Sequence, residues 1–453
     1  MSRLDPFIPV ILIARFSEEG NNEENLVLAA AARIDNRKEL GDIFGLSDHG
    51  EIQDGELILR AYEMWGEACA GKLIGDFAFA IWDKRKRVIF CARDCFGVKP
   101  FYYFKSNDLF IFSSEIKGIL NVPEVPRRLD EGMIANHLIW DCEDQEITFF
   151  QGLKKLPPAR FMRVSAESVT VGRYWSLDPA VELKLKSDED YAERFRALFF
   201  EAVRCRLRSD SPVGCLLSGG LDSSAVTAVS RHLLAREGRG LHTFSAIFDE
   251  VPTSDERFFM NLVTSMQGIH AHSIHADRVA PYFEIRKMFE CLDQPNTCEL
   301  SMFWGGIYPA AKSKQLRVLL DGDGGDEVVS RGTLRLAELL SSFRWVEYAR
   351  TLTALSQNIH RSIGDLFLSQ SLRPLIPPGF LRVWRLMRWG NRSLWFDRTL
   401  LNPRFVNRMR LKEKEACQVT IETRPFRTVK EQHLHELSFG ANAYAFEAVY
   451  PAA

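Results

Sequence analysis

The stretch Val213-Gly-Cys-Leu-Leu-Ser-Gly-Gly-Leu-Asp-Ser-Ser-Ala225 joins an apolar run to a glycine-rich turn and a helix start. The run predicts a buried strand, and the turn consists of residues small enough for a ligand to reach the backbone. Unpaired N–H groups at a helix start attract anions, which suits the turn to phosphate oxygens. Asp222 fits among phosphates only if a divalent cation bridges them. The alternative is an ordinary Gly/Ser turn after a core strand.

No lysine follows these glycines, so the turn differs from the Gly-Lys-Ser/Thr loop of kinases and GTPases. Ser218, Ser223 and Ser224 supply hydroxyl donors instead. The turn resembles the pyrophosphate-binding loop of enzymes that cleave ATP between the α and β phosphates.

A second glycine-rich turn lies in Leu319-Leu-Asp-Gly-Asp-Gly-Gly-Asp-Glu-Val-Val329, again after an apolar run. Crowded carboxylates raise each other's pKa values unless a cation neutralises them, and oxygen ligands separated by small residues suit Mg²⁺. A solvated acidic loop or a calcium turn is the alternative, although the spacing is not that of the helix-loop-helix calcium loop. The carboxylates are Asp321, Asp323, Asp326 and Glu327.

The second half of the chain alternates between strand and helix patterns, which predicts a parallel sheet with helices on both faces. Ligands bind such sheets at the carboxyl ends of the strands, where both glycine-rich turns lie, so we expect the turns to face one crevice. The predicted strands are 213–217, 241–248, 271–275 and 316–320, and the predicted helices are 191–208, 223–235 and 256–267.

The first half favours a two-layer, mostly antiparallel sheet domain with helices. The polar stretch 175–190 marks the boundary, so the predicted domains are 1–178 and 186–453 of an α/β protein. The predicted strands are 6–14, 77–82, 88–92, 101–104 and 109–112, and helical spacing covers 56–65, 126–139 and much of 337–453.

Composition excludes several classes of protein. The 453 residues are 46% hydrophobic and 26% charged with a net charge of -2, so no overall field points to nucleic acid or membrane. Nine dispersed cysteines without a CxxC pair predict reduced thiols in a cytoplasmic protein. His270, His272 and His275 are interpreted as decorating a strand and turn rather than binding metal.

The two turns, in this order, resemble the synthetase domain of the asparagine synthetase family, an ATP-pyrophosphatase-type domain. Leu73–Asp83, Arg93–Phe101 and Phe112–Lys117 are similar to the glutaminase-like domain of the same family. The resemblance extends from about residue 25 to the C-terminus. Within the family the chain is most similar to the asparagine-synthase-related branch, which includes the lasso-peptide cyclases.

The resemblance implies a ligase that adenylates a carboxylate with ATP, releases pyrophosphate and passes the acyl group to an amine. Asp222 and Asp326 match the family's Mg²⁺-binding aspartates. Asp323 lies where the family has a Glu near the reacting amine, and would either accept the amine's proton or only contribute charge nearby. Contacts with ATP are implied for Leu216, Ser218, Gly219, Gly220, Asp222, Ser223, Ala246, Asp321 and Gly322.

The first domain departs from the family's glutaminase pattern, which uses a cysteine freed as residue 1 where this chain has Ser2 after Met1. Ala31 and Arg33 stand at the oxyanion-stabilising Asn and the substrate-binding Glu, and only Asp54 is retained. We therefore expect no glutamine hydrolysis. The amine would come from free ammonia or from the substrate itself, as in the β-lactam synthetase and lasso cyclase branches.

Two substrate classes remain open: a small-molecule carboxylate in asparagine synthesis, or a peptide carboxylate in lasso-type macrolactam formation. The second would involve a precursor peptide and a partner protease; no nucleic-acid or membrane partner is expected. The alternative is a non-catalytic member that binds ATP or a precursor peptide. It is motivated by the family's catalytic lysine, which no residue before Ala453 matches, so the C-terminus is expected to be truncated.

Overall fold

The structure is a computed structural model that describes residues 11–15, 25–46, 52–106, 109–139, 144–178, 181–280, 285–295, 303–329, 334–376, 380 and 401–411. Within these ranges no helix is both long and apolar enough to cross a bilayer.

Two antiparallel sheets form the first domain. The five-stranded sheet has the order β2 (Leu26–Ile34), β3 (Gly75–Asp83), β4 (Val88–Arg93), β8 (Arg160–Val164), β9 (Val169–Arg173). The four-stranded sheet has the order β1 (Ile11–Arg15), β6 (Leu109–Ser113), β5 (Tyr102–Lys105), β7 (Leu153–Lys155). The helices are α1 (Arg37–Ile43), α2 (Asp54–Trp65), a 3₁₀ helix (Gly66–Lys72), α3 (Ile116–Leu120) and α4 (Glu131–Leu138).

Side chains of β3 alternate between two cores, which shows that this domain is layered. Phe77 and Phe79 pack under α2, whereas Ala78 and Ala80 pack against the facing sheet. Successive side chains of a strand point to opposite faces, so one strand serves two cores. The outer face of the second sheet is covered by α3, which gives the layer order helix, sheet, sheet, helix.

A parallel four-stranded sheet organises the second domain, in the order β12 (Ile269–His275), β11 (Leu241–Ile247), β10 (Val213–Leu216), β13 (Val318–Leu320). Apolar residues of α5 (Asp188–Arg206) and α6 (Leu221–Arg236) cover one face. A π-helical turn (Phe303–Ile307) and α9 (Tyr308–Ser313) cover the other.

Shorter elements complete the described part of this domain. The remaining helices are α7 (Arg257–Thr264), α8 (Ile285–Leu292), α10 (Gly325–Val329), α11 (Arg335–Ser341), α12 (Trp345–Asn358), α13 (Ile363–Leu366) and α14 (Pro403–Arg408). Helices α11, α12 and α13 pack together around Leu339 and Leu366. Single π or 3₁₀ turns lie at Pro252–Ser254, Ala276–Arg278, Phe367–Leu372 and Arg373–Leu375.

The predicted fold class is confirmed, with local corrections. The helix predicted over 126–139 is wrong in its first part, because Leu129 bridges to Phe150 and Asp130 caps α4 by accepting from the Met133 N–H at 2.9 Å. Helix α6 begins at Leu221, two residues before the predicted start. Residues 6–10 of the first predicted strand and the tail beyond 411 lie outside the described residues.

Candidate active site

The turn after β10 is closed by hydrogen bonds between its own serines. The Ser218 N–H donates to Ser223 Oγ at 3.2 Å, and the two hydroxyls lie 3.0 Å apart. Gly219 has φ +94°, a left-handed conformation that glycine adopts without strain. Gly220 then caps α6, whose first N–H groups have no acceptor within the helix. The turn is therefore a preformed cradle for an anion, with Asp222 in the first helical turn.

The acidic turn after β13 packs directly against this cradle. A methyl group built on Gly322 would lie 2.6 Å from the Ser223 nitrogen, and one on Gly325 would lie 2.7 Å from Asp222 Oδ1. Only glycine allows so close an approach of backbone to backbone and of backbone to carboxylate. The two glycine-rich turns thus interlock at the carboxyl ends of the adjacent strands β10 and β13.

A cleft of about 500 Å³ opens between the two turns. It brings together every predicted site residue except Gly219. The predicted residues that line it are Leu216, Ser218, Gly220, Asp222, Ser223, Ala246, Asp321, Gly322, Asp323 and Asp326. Their roles in binding or catalysis stay predictions.

Sequence reasoning missed several residues that line the cleft. Glu256 precedes α7, and Phe303 and Ile307 belong to the π-helical turn. The position of Glu256, shortly after the carboxyl end of β11, is the signal that would have found it. Apolar Phe244 and Phe248 also line the cleft and suit a flat aromatic ring.

Asp321 lies in the cleft beside a second carboxylate, Asp323. Displacement of water by the surrounding protein, and then the charge of Asp323, raise the pKa of Asp321 to about 6. The Asp323 N–H donates to Asp321 Oδ1 at 3.3 Å, which keeps the carboxylates close. Burial and these two charges also raise the pKa of Tyr308 to about 12. A bound cation would relieve this repulsion.

The residues fit Mg²⁺ only in company with a phosphate ligand. Across the described ranges, no three histidine, cysteine or acidic side chains converge closely enough to hold a metal unaided. Asp222 and Asp326 line the same cleft as the serine turn, and Mg²⁺ usually takes one or two carboxylates plus substrate phosphates.

The histidines of β12 pack against a histidine of β11 that the sequence analysis did not single out. His242 Nδ1 lies 3.0 Å from His272 Nε2, and their rings stack with centroids 5.3 Å apart. The His270 ring lies 5.1 Å from that of His242. His275 instead pairs with Asp249 at 2.8 Å.

We expect this histidine stack to make the domain sensitive to acid. Burial, then His270, His272 and Lys314, lower the pKa of His242, and burial followed by Lys314 and His270 lowers that of His272. A lowered histidine pKa gives stability above the unfolded-state pKa that is lost as pH falls through the folded-state pKa.

We therefore expect the melting temperature to fall by several degrees between pH 7 and pH 5, and to fall less in a His242→Gln/His272→Gln variant. Calorimetry measures the difference, and His360→Gln, at an exposed position, is the control. An equal acid loss in all three proteins would contradict the prediction.

In the first domain, the positions that the resemblance links to glutamine lie on β2 and α2. In the register of the β2–β3 ladder, Ala31 lies opposite Ala78 and Arg33 lies opposite Asp76. Asp54 accepts from the Ile34 N–H at 3.2 Å and pairs with Arg37. The family resemblance aligns Arg33 with the substrate-binding Glu, so a guanidinium stands at the position predicted for that carboxylate.

Two protein-family models match different parts of this chain. A glutamine amidotransferase domain model matches residues 21–175, and an asparagine synthase model matches residues 194–436. "Asparagine synthetase [glutamine-hydrolyzing] 3" of Bacillus subtilis is 31% identical over 65% of this chain and 49% of its own length. "Asparagine synthetase [glutamine-hydrolyzing] 2" of the same species is 27% identical over 77% of this chain and 48% of its own length.

The chain spans about half the length of these two relatives. Among solved structures, the B. subtilis glutamine phosphoribosylpyrophosphate amidotransferase is 12% identical, covering 69% of this chain and 72% of its own, with a TM-score of 0.25. That likeness adds nothing to the assignment. The asparagine synthase model alone matches more than half of the residues, and the chain belongs to the asparagine synthase family.

Proposed function

We propose that this chain is an ATP-dependent synthetase that forms a carbon–nitrogen amide bond through an adenylated carboxylate. The observation that carries the proposal is the interlocking of the serine turn and the acidic turn, with Gly322 and Gly325 packed on Ser223 and Asp222. A phosphate cradle alone would serve many reactions. A cradle joined to a carboxylate pair in one cleft suits the binding of a magnesium-bound polyphosphate.

Different groups of the cleft have different roles in this proposal. The backbone of Gly219–Asp222 holds the leaving pyrophosphate, while Phe244 and Ala246 face the nucleoside. Mg²⁺, held by Asp222 and Asp326, supplies neutralising charge for the phosphates when bound. Asp323 lies on the cleft floor, where a carboxylate accepts the proton that the attacking amine loses.

The amine in this proposal does not come from glutamine. A glutamine-binding position needs a carboxylate for the substrate's ammonium group, and Arg33 supplies the opposite charge. Its guanidinium donates to the carbonyl oxygens of Cys205 at 2.5 Å and Arg208 at 3.1 Å, so it is committed to other contacts. The amine is then free ammonia or part of the substrate, in asparagine synthesis or in macrolactam formation on a precursor peptide.

AMP and pyrophosphate release from Mg-ATP tests the proposal, with aspartate plus ammonia in one reaction and aspartate plus glutamine in another. We expect no ammonia from glutamine above a blank without protein, because Arg33 and Ala31 replace the groups that bind and polarise it. Asparagine and AMP with ammonia alone would identify the carboxylate as aspartate.

A panel of peptides with an Asp or Glu side chain and a free N-terminus provides the second arm. AMP formation with a peptide but not with aspartate would favour macrolactam formation. Absence of AMP with every carboxylate, together with retained Mg-ATP binding, would overturn the synthetase proposal in favour of a non-catalytic ATP-binding member.

A further inference from the structure

Ion pairs that the proposed chemistry does not use join the first domain to the end of α5. The guanidinium of Arg206 pairs with Asp76, with Nη2 2.9 Å from Oδ1, and lies 3.4 Å from Asp35 Oδ2. Arg208, just beyond the helix, donates to Asp54 Oδ2 at 3.1 Å. All three carboxylates belong to the first domain, so the arginines connect the two halves of the chain.

Contacts also run in the opposite direction, through Arg33 of β2. The carbonyl oxygens that accept from its guanidinium, those of Cys205 and Arg208, lie in the last turn of α5 and just after it. Carbonyl groups at a helix C-terminus lack helical partners and carry partial negative charge. A residue of the first domain therefore caps a helix of the second.

These residues form one cluster of three arginines and three carboxylates. The Asp35 side chain is 10% exposed and that of Asp76 is 12% exposed. Burial raises the pKa of Asp35 and lowers that of Arg33. Removing one partner would leave a poorly hydrated charge, which costs far more than breaking a surface pair. The interdomain cluster consists of Arg33, Asp35, Asp54, Asp76, Arg206 and Arg208.

Two members of the interdomain cluster, Arg33 and Asp54, occupy positions that the family uses for glutamine. The chain that leaves Arg208 enters β10 at Val213, and the phosphate cradle follows that strand directly. We propose that this part of the first domain serves here as an electrostatic anchor that holds the segment leading into the phosphate cradle.

Hydrogen exchange of the full chain, followed by mass spectrometry, tests the anchor without requiring turnover. We expect an Arg206→Gln/Arg208→Gln variant to exchange roughly ten-fold faster in segments 30–36 and 203–210. This effect is larger than that of breaking an exposed ion pair and smaller than that of breaking a buried one. Core segments 88–93 and 241–247 should keep their protection. High salt should speed exchange of the unmodified chain in the same two segments.

Arg204→Gln is the matched control, because Arg204 lies on the same helix but pairs with Glu201 of that helix. Unchanged exchange in the double variant, or the same change in Arg204→Gln, would overturn the anchor. If the double variant lost protection throughout, the salt series on the unmodified chain would test the anchor instead. Exchange in segments 30–36 and 203–210 that did not become faster at high salt would then overturn it. Since exchange needs no carboxylate substrate, failure of the anchor is distinguishable from failure of the proposed synthetase activity.

Discussion

Replacing Asp222 with asparagine is expected to lower AMP formation by on the order of 100- to 1,000-fold, the usual cost of removing one preorganised electrostatic contact. Asparagine keeps the size of the side chain but cannot supply a negative charge to a metal. The first turn of α6 should persist, since its fold depends on the Ser218–Ser223 contacts, which the variant leaves intact. The loss should therefore appear in magnesium-dependent binding and turnover, with little change in melting temperature.

Calorimetric titration with ATP separates the charge effect from a folding effect. With Mg²⁺ present the variant should bind ATP more weakly than the unmodified chain, and without Mg²⁺ the difference should shrink or reverse. The control is Asp188→Asn, which removes a carboxylate from the first turn of α5 and so changes the helix-terminus charge in the same way. Equal magnesium-dependent affinity in both variants would show that Asp222 holds no metal.

The sequence predicted the two turns because their information is local. Each consists of an apolar run, small residues and carboxylates within one short segment, and parallel-sheet geometry places such segments at one edge. Asp222 and Asp326 were singled out as candidates in this way, whereas Leu216 was implied by the family resemblance. No local pattern, however, states that β10 lies between β11 and β13, and this order decides which other segments reach the cleft.

The residues that sequence patterns did not predict come from those other segments. Glu256 and Phe303 reach the cleft through elements that follow different strands, and His242 meets His272 only because β11 pairs with β12. The partners of Arg206 are also distant in sequence, since Asp76 lies 130 residues before it. Long-range pairs of this kind depend on tertiary packing, so a single sequence does not reveal them.

Strand β2 shows that residue preferences alone do not always predict secondary structure. Its alanine-rich sequence, Leu26–Ile34, has weak strand propensity. It becomes a strand because all nine of its residues pair with β3, whose Phe77 and Phe79 supply large side chains to the core under α2. Tertiary context here outweighs intrinsic preference.

The interlocking of the two turns leads to the other large effect, that of adding a methyl group at Gly322. The added carbon would lie 2.6 Å from the Ser223 nitrogen and 3.0 Å from the Asp222 carbonyl carbon. Both are backbone atoms at the start of α6, so no side-chain rotation relieves the clash. We expect Gly322→Ala to lower the free energy of unfolding by roughly 1–3 kcal/mol and to remove AMP formation, because overpacking at this contact pushes the turns apart.

Gly325→Ala offers a contrast, since its methyl group would meet the carboxylate of Asp222 rather than backbone. That side chain can rotate away, so stability should change little while magnesium-dependent ATP binding falls as in Asp222→Asn. Gly364→Ala, which has open space around the added carbon, should be neutral or stabilising by about 0.4–1 kcal/mol. Denaturant unfolding of the three variants measures the free energy of unfolding, and titration with ATP measures magnesium-dependent binding. If Gly322→Ala and Gly364→Ala had the same free energy of unfolding and the same ATP affinity, the turns would not interlock. A methyl group at Gly322 can differ in effect from one in open space only if the backbone of the other turn is in close contact with it.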